Sequence, residues 1–453
     1  MVSAIAKFFK FNELQTNFRT EILAGVTTFV TLSSVLVVNP AILSSAIYLK
    51  QPGDLLGELL VATAISSALS SILLACMANY PFALAPAMGP NAYLAFSVIL
   101  GLPMNWRLAL STVFLESVLF LVLIATNLHT KIIRAIPASF KYATVVGIGL
   151  FIAYLGLAAS PEPPTLGAGI IVPDAATVTA LGSLRQPPTL MAIFGFLLTA
   201  ILLARSVKGA MLWGILSTAM LGWIFGIAPT PQGIFALPTL PINLFGQAIA
   251  GFKDLNAEQI WNLIAVTLTL LFVTLFGFVG TLTGLGQQLE QLDEKGNLPR
   301  LTQTLSAGAL GGTLSSLIGM PPPITYLESA AGITEGGRSG FTSIVVAVLM
   351  LGSAFFVPVV AAIPTFAITP ALILVGVLMM RSVQEINWDD PAEALSSFLI
   401  ILMMPLTFSL AKALAIGFVV YPIMKAAQGK FRDVSWVIYA LAIAAVFYLG
   451  SLS

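Results

Sequence analysis

Charge is what this sequence has least of. Only 9% of its 453 residues are Asp, Glu, Lys or Arg, while 58% are hydrophobic and the mean hydropathy is +0.98. Soluble domains carry roughly 25% charged residues, so the composition excludes one and points to a chain that lives in lipid. A net charge of +1 leaves no basic stripe for nucleic acid. Cysteine and histidine occur once each, as Cys76 and His129. No internal disulfide and no Cys/His metal cluster can then form, and no cofactor is implied. Cys76, within Leu73-Leu74-Ala75-Cys76-Met77, reads as a small buried hydrophobe. His129, beside Lys131, reads as a solvated loop residue. The sequence lacks a Ser/His pair, facing aspartates and a Gly-Lys-Ser/Thr phosphate loop. These absences argue against an intramembrane enzyme and against ATP as the energy source. A cleavable signal sequence is not evident, and residues 1–20 are polar and mildly basic, with Lys7, Lys10 and Arg19.

Long apolar runs take the place of charge. About 20 such residues span about 30 Å of hydrocarbon. Runs at 21–46, 56–79, 80–100, 106–127, 138–160, 188–205 and 208–228 form a first set. A second set lies at 258–288, 301–319, 320–335, 339–362, 366–381, 391–407 and 409–426, and a further apolar stretch closes the chain at 433–451. Lys and Arg gather in short cytoplasmic loops. Lys131, Arg134, Lys141, Arg205, Lys208, Lys295, Arg300, Arg338, Arg381, Lys425, Lys430 and Arg432 all fall on the side of the basic N-terminus. The loops 161–187 and 229–257 carry only Arg185 and Lys253. The N-terminus is therefore expected in the cytoplasm of a multi-pass plasma-membrane protein. An odd set of seven spans ends outside, so the second set starts inverted. The expected fold is an all-α polytopic membrane protein of about fourteen segments in a 7+7 inverted repeat.

Proline breaks two of these segments in the middle. One reads Tyr80-Pro81-Phe82-Ala83-Leu84-Ala85-Pro86-Ala87-Met88-Gly89-Pro90-Asn91-Ala92-Tyr93, the other Gly319-Met320-Pro321-Pro322-Pro323-Ile324-Thr325-Tyr326-Leu327-Glu328-Ser329. Proline removes a backbone donor and stops a continuous helix. In lipid the freed groups must face protein or a watery cavity. Such breaks at corresponding places in two halves point to a transporter's binding site near the midplane.

Ionisable groups in these spans are the first candidates for chemistry. Glu328, just past the triple proline, stands at the start of a half-helix, where it can accept from ring N–H groups of a planar ligand or hold a proton; it can also simply cap its own half-helix. Glu116 either braces a neighbouring helix or relays protons, and Lys412 reads as snorkelling to the interface. Asn91 can both donate and accept, and it would face Glu328 if the half-helices cross. Tyr93, Phe96 and Tyr326 offer stacking faces or plain packing. Gly277, Gly280, Gly284 and Gly286 allow close helix approach, or let a ligand touch backbone. The turn Gly336-Gly337-Arg338-Ser339-Gly340 is a tight connection, and Gln287 to Arg300, with Asp293, Glu294 and Lys295, reads as a solvated helix end.

Several segments, in order along nearly the whole chain, resemble one family. They are Arg19-Thr20-Glu21-Ile22-Leu23-Ala24-Gly25-Val26-Thr27-Thr28-Phe29 with Val38-Asn39-Pro40, then Ala83 to Tyr93, then Thr325 to Gly332 with Gly336 to Gly340, and finally Pro370-Ala371-Leu372, Trp388-Asp389-Asp390 and Met404-Pro405-Leu406-Thr407. The resemblance is to the nucleobase:cation symporters of the nucleobase/ascorbate transporter superfamily, in the hypoxanthine/guanine/adenine permease branch. It implies proton-coupled purine transport and a homodimer of chains embedded in membrane lipid. It also implies a core domain at 21–127 and 258–362 and a gate domain at 138–228 and 366–453. By this resemblance Asn91 and Glu328 bind substrate; Ala92, Thr274, Gly277, Phe278, Thr325 and Ser329 are the further substrate-binding candidates, and Glu328 and Glu116 are the proton-coupling candidates. The chain departs from the family at the eighth span, where two aspartates are usual and Thr274 and Gly277 stand instead. It departs again at Ala87, Pro90, Pro321-Pro322-Pro323 and Lys412. Loss of two carboxylates keeps a second expectation open, a carrier of small anions such as bicarbonate or sulfate on the same architecture, and a third, a binding protein without flux.

Overall fold

The computed structural model describes residues 2–102, 104–158, 167–253, 255–291 and 298–450. Asp293, Glu294 and Lys295 lie outside them. The first half runs α1 (Val2–Phe8), α2 (Phe18–Leu32), α3 (Val35–Ser44), α4 (Leu56–Ala78), β1 (Leu84–Pro86), α5 (Met88–Ala92), α6 (Trp106–Ala125), α7 (Leu128–Ala135), α8 (Ala138–Leu157), β2 (Ile171–Asp174), β3 (Val178–Leu181), α9 (Pro187–Ala204) and α10 (Ala210–Ile224). After a short α11 (Gln247–Ala250), the second half runs α12 (Ala257–Gln288), α13 (Leu301–Leu317), β4 (Pro323–Thr325), α14 (Ser329–Thr334), α15 (Gly340–Ser353), α16 (Val357–Ala361), α17 (Thr365–Met379), α18 (Pro391–Thr407), α19 (Leu410–Ala427) and α20 (Trp436–Gly450). Among the described residues nine helices are long and apolar enough to cross a bilayer. The chain is thus mostly helical and many-spanning, as its composition requires.

The two proline breaks become two short strands that pair with each other. β1 and β4 run antiparallel, with Leu84 opposite Thr325, Ala85 opposite Ile324 and Pro86 opposite Pro323. Proline is tolerated because each strand of a two-stranded ribbon has one unpaired edge. The ribbon is extended by Ala87 N–H to the Pro322 carbonyl (3.2 Å) and Tyr326 N–H to the Ala83 carbonyl (3.1 Å). Side chains satisfy the rest of this buried backbone, as a membrane interior demands. Ser71 Oγ accepts from Leu84 N–H at 3.0 Å, and Ser329 Oγ accepts from Ala83 N–H at 2.9 Å. A half-helix follows each strand: α5 continues into a π-helical stretch, Tyr93–Ile99, and β4 leads to α14.

Small polar residues seat this ribbon. In α4, Thr63, Ser66, Ser67, Ser70 and Ser71 recur at helical spacing and are all fully buried. Ser66 Oγ lies 2.6 Å from Ser315 Oγ of α13. A Cβ on Gly311 would run into the Ser70 side chain, so glycine there sets the α4–α13 distance. Glu21 of α2, fully buried, accepts from the backbone N–H of Arg338 (3.0 Å), Ser339 (3.2 Å) and Thr342 (3.2 Å), and from the Thr342 hydroxyl (2.6 Å). It thereby supplies the carboxylate that the start of α15 needs.

Two sequence expectations are corrected. Cys76 is exposed, on the outward face of α4 beside Met77. Hydropathy places it in a span but does not say which face it takes. His129 is 1% exposed in α7, with Nδ1 3.2 Å from the Leu123 carbonyl. Asn127 adopts a left-handed conformation between α6 and α7 that folds the imidazole back onto the end of α6.

Candidate functional site

The ribbon, the starts of α5 and α14, and one face of α12 meet at a single place. Gly277, Gly280, Thr281 and Gly284 form that face of α12. Thr281 Oγ1 lies 2.5 Å from Thr325 Oγ1, so it joins α12 to β4. A Cβ on Gly277 would have Ile324 Cδ1 at 3.6 Å, one on Gly284 would have Leu327 Cδ2 at 3.3 Å, and one on Gly280 would meet nothing within 4 Å. Close helix packing therefore does not explain Gly277 and Gly280. Glycines that do carry close packing lie on α13, where a Cβ at Gly308 would collide with the Phe278 ring and one at Gly312 with Ser117.

Glu328 sits at the start of α14, next to Leu327, whose side chain approaches Gly284 on this face of α12. It is half-buried, and its side chain makes no capping bond to the half-helix. Its backbone carbonyl accepts from Thr31 Oγ1 of α2 at 3.3 Å. A carboxylate placed at a helix start and not spent on a cap is a group available to a ligand's N–H donors. Thr325 and Ser329, both fully buried, flank it but are committed, Thr325 to Thr281 and Ser329 to Ala83.

Asn91 is fully buried and its amide donates to Asn39 Oδ1 of α3. Asn39 in turn donates to Thr63 Oγ1 at 2.7 Å and approaches Met320 Sδ at 3.7 Å. The Asn91 amide nitrogen is thus spent on α3, and the side chain does not bond to Glu328 across the crossover in the way that crossing half-helices suggest. One acceptor, Asn91 Oδ1, stays unpaired. Ala92 is fully buried at the end of α5, and Phe278 is fully buried against Gly308 of α13.

Glu116 and Thr274 form a second polar spot, inside the packing of α6 against α12. Glu116 is fully buried, its Oε2 accepts from Ser117 Oγ at 3.0 Å, and Thr274 is its other polar neighbour. Among the described residues Glu116 Oε1 and Thr274 Oγ1 have no hydrogen-bond partner. From the facing side Lys141 of α8 reaches the Phe276 ring of α12, with its Nζ 5.8 Å from the centroid.

Sequence reasoning missed Asn39, Thr63, Ser71 and Thr281 as parts of the site. The signal was present as polar residues recurring every three or four positions within α4, and as a threonine one turn beyond Gly277.

The chain matches the Permease family over residues 19–416. It is 46% identical to a putative permease of Methanocaldococcus jannaschii over 439 residues, covering 97% of this chain and 96% of that one. It is 39% identical to the guanine/hypoxanthine permease PbuG of Bacillus subtilis, covering 97% and 98%. It is 34% identical to the adenine permease AdeP of Escherichia coli, covering 97% and 94%. In shape it resembles the transmembrane domain of a cyanobacterial bicarbonate transporter, BicA, with a TM-score of 0.62 and 16% identity over 88% of this chain and 97% of that one. At that identity the likeness speaks for the fold alone. A many-spanning chain with paired broken helices, matched along almost its full length, is a membrane permease and belongs to the Permease family.

Proposed function

We propose that this permease carries a purine nucleobase of the guanine, hypoxanthine or adenine class across the plasma membrane, with Glu328 as the group that holds the base. The observation that carries the reading is the Glu328 carboxylate, uncapped and half-buried at the start of α14, whose neighbour Leu327 rests against Gly284 on the α12 face that Gly280 leaves open. A purine edge presents N–H donors in one plane, which a carboxylate accepts in pairs. Gly280 leaves room for the ring, and the Thr281–Thr325 pair offers hydroxyls at its rim. The names of the relatives support the substrate class. A fixed carboxylate disfavours a small anion, which sets this site apart from a bicarbonate-type reading of the fold.

The proposed architecture has fourteen spans in a 7+7 inverted repeat, with the N-terminus cytoplasmic. The antiparallel pairing of β1 with β4 supports that symmetry. Core and gate divide at 21–127 with 258–362 against 138–228 with 366–453. In support, α4, α6, α13 and α15 pack among themselves, as do α8, α9, α17, α18 and α19. Transport then consists of the core moving against the gate around the site, in a homodimer. Glu328 is the first proton carrier and Glu116 the second.

The test is uptake into liposomes holding the purified protein. Labelled hypoxanthine, guanine and adenine are offered with and without acid outside, and bicarbonate and sulfate are offered in parallel. Saturable uptake of a purine, faster with acid outside, is the expected result. Bicarbonate or sulfate flux without purine uptake overturns the reading, and purine binding without flux makes the chain a binding protein.

A further inference from the structure

A cavity of about 390 Å³ lies away from the crossover, on the side proposed to face outward. Its walls come from the far end of the π-helical stretch (Phe96, Ser97), α8 (Tyr154), the β2–β3 hairpin (Val172, Val178) and the α18–α19 turn (Phe408, Lys412). The size is that of small-molecule sites.

Three aromatic rings and one cation give this cavity its chemistry. Phe96, Tyr154 and Phe408 supply flat faces, and the Phe408 ring stands edge-on to Tyr154 with centroids 5.5 Å apart. Phe408 holds a left-handed backbone (φ 49°), an uncommon conformation for a bulky residue that fixes the turn. Three hydroxyls in the lining are already committed. Ser97 donates to the Phe408 carbonyl, Thr407 to the Met403 carbonyl at 2.7 Å, and Ser409 Oγ accepts from Lys412 N–H at 3.3 Å. Lys412 is the one charged side chain among the described lining residues, and its ammonium has no ion pair there.

Among the described residues the nearby titratable groups form no ion pair with that charge. Tyr154 lines the wall, and Tyr448 of α20 reaches Ser409 from behind. Asp174, at the end of β2, stays ionised below its usual range because the Thr177 N–H and hydroxyl and the Ala176 N–H hold its Oδ1 within the hairpin turn, and it forms no ion pair with Lys412.

We propose that this cavity is an outer binding site for a deprotonated oxopurine, which Lys412 pairs with and the aromatic rings stack on. The ligand class rests on the permease reading above. The Ser97–Phe408 bond joins the segment that begins at the crossover to the gate turn, so the cavity stands as an antechamber on the far side of that contact. Neutral bases gain only the stacking, whereas an anionic base gains the charge contact as well.

Xanthine at mildly alkaline pH, where it is an anion, is the probe. Equilibrium binding to purified protein is measured for Glu328→Gln, which disables the central site, and for Glu328→Gln combined with Lys412→Gln or with Lys412→Arg. Xanthine should still bind to Glu328→Gln, bind about tenfold more weakly when Lys412→Gln is added, and recover with Lys412→Arg. Absence of binding in Glu328→Gln, or equal binding in all three proteins, overturns the outer site. The permease reading fails on a different readout, the absence of purine uptake by the wild type, and Lys412-dependent binding would survive that failure.

Discussion

Tyr326 donates its phenolic hydroxyl to the Pro86 carbonyl at 2.6 Å. The bond ties the broken segment of one half of the chain to that of the other, and it uses a carbonyl that the proline break left without a helical partner. Together with the β1–β4 register it makes the two breaks one structural unit. Whatever moves one half-helix start then moves the other, and both carry the proposed site with them.

Tyr326→Phe keeps the ring and removes this bond. Its expected cost is about 1 kcal/mol of stability, the scale of one hydrogen bond, together with slower purine uptake because the two half-helices lose a tie. Thermal unfolding and uptake in liposomes read the two effects. Unchanged stability and uptake would show that the ribbon alone sets the geometry.

Two glycines have opposite surroundings: a Cβ at Gly280 would meet nothing within 4 Å, whereas one at Gly308 would meet the Phe278 ring. Gly280→Leu meets an open face and replaces glycine with a better helix former, so the protein should fold normally and lose purine uptake. Gly308→Ala puts a methyl into the Phe278 ring, with an expected cost of about 1–3 kcal/mol from overpacking. Expression level and unfolding midpoint, measured beside uptake, distinguish the two. Normal uptake by Gly280→Leu would remove this face of α12 from the site.

Lys425 of α19 pairs with Asp390 at the start of α18 at 2.5 Å, and Gln428 adds a bond at 3.2 Å. Burial opposes ionisation of Asp390, but the Lys425 ammonium, the Gln428 amide and the Ala392 N–H outweigh it and hold the carboxyl at about 2. The folded value lies below that of the unfolded chain. The linked stability is therefore complete above about pH 4 and is lost as pH falls toward about 2. Asp390→Ala strands a buried ammonium and should cost roughly 2 kcal/mol, less than in a dry interior because the pair keeps some water contact. Adding Lys425→Met should recover most of that loss. Unfolding midpoints across acid pH check both statements, and a flat acid profile would contradict them.

Much of the architecture was legible because lipid imposes strong rules. Hydropathy and proline located the segments and both breaks, and Glu328 stood out as a carboxylate just past Pro321-Pro322-Pro323. Side-chain facing was not legible. Cys76 and His129 were misplaced because an apolar run says nothing of which face meets lipid, and a short polar loop can still fold back onto a helix end. Asn91 turned to Asn39 because the pairing of α3 with α5 depends on long-range packing that no local pattern encodes. Gly280 and Gly308 look alike in sequence, and only the neighbouring helix decides which is open.

The most direct measurement is purine uptake by Glu328→Gln and Glu328→Asp, with membrane insertion and unfolding midpoint verified for each. Glu328→Gln keeps the shape and removes the negative acceptor. The account predicts loss of uptake of at least about a hundredfold, the scale of a charge-assisted hydrogen-bond pair, with partial activity in Glu328→Asp and a folded protein in both. Wild-type uptake by Glu328→Gln would contradict the account, because the base would then be held without the one carboxylate at the crossover.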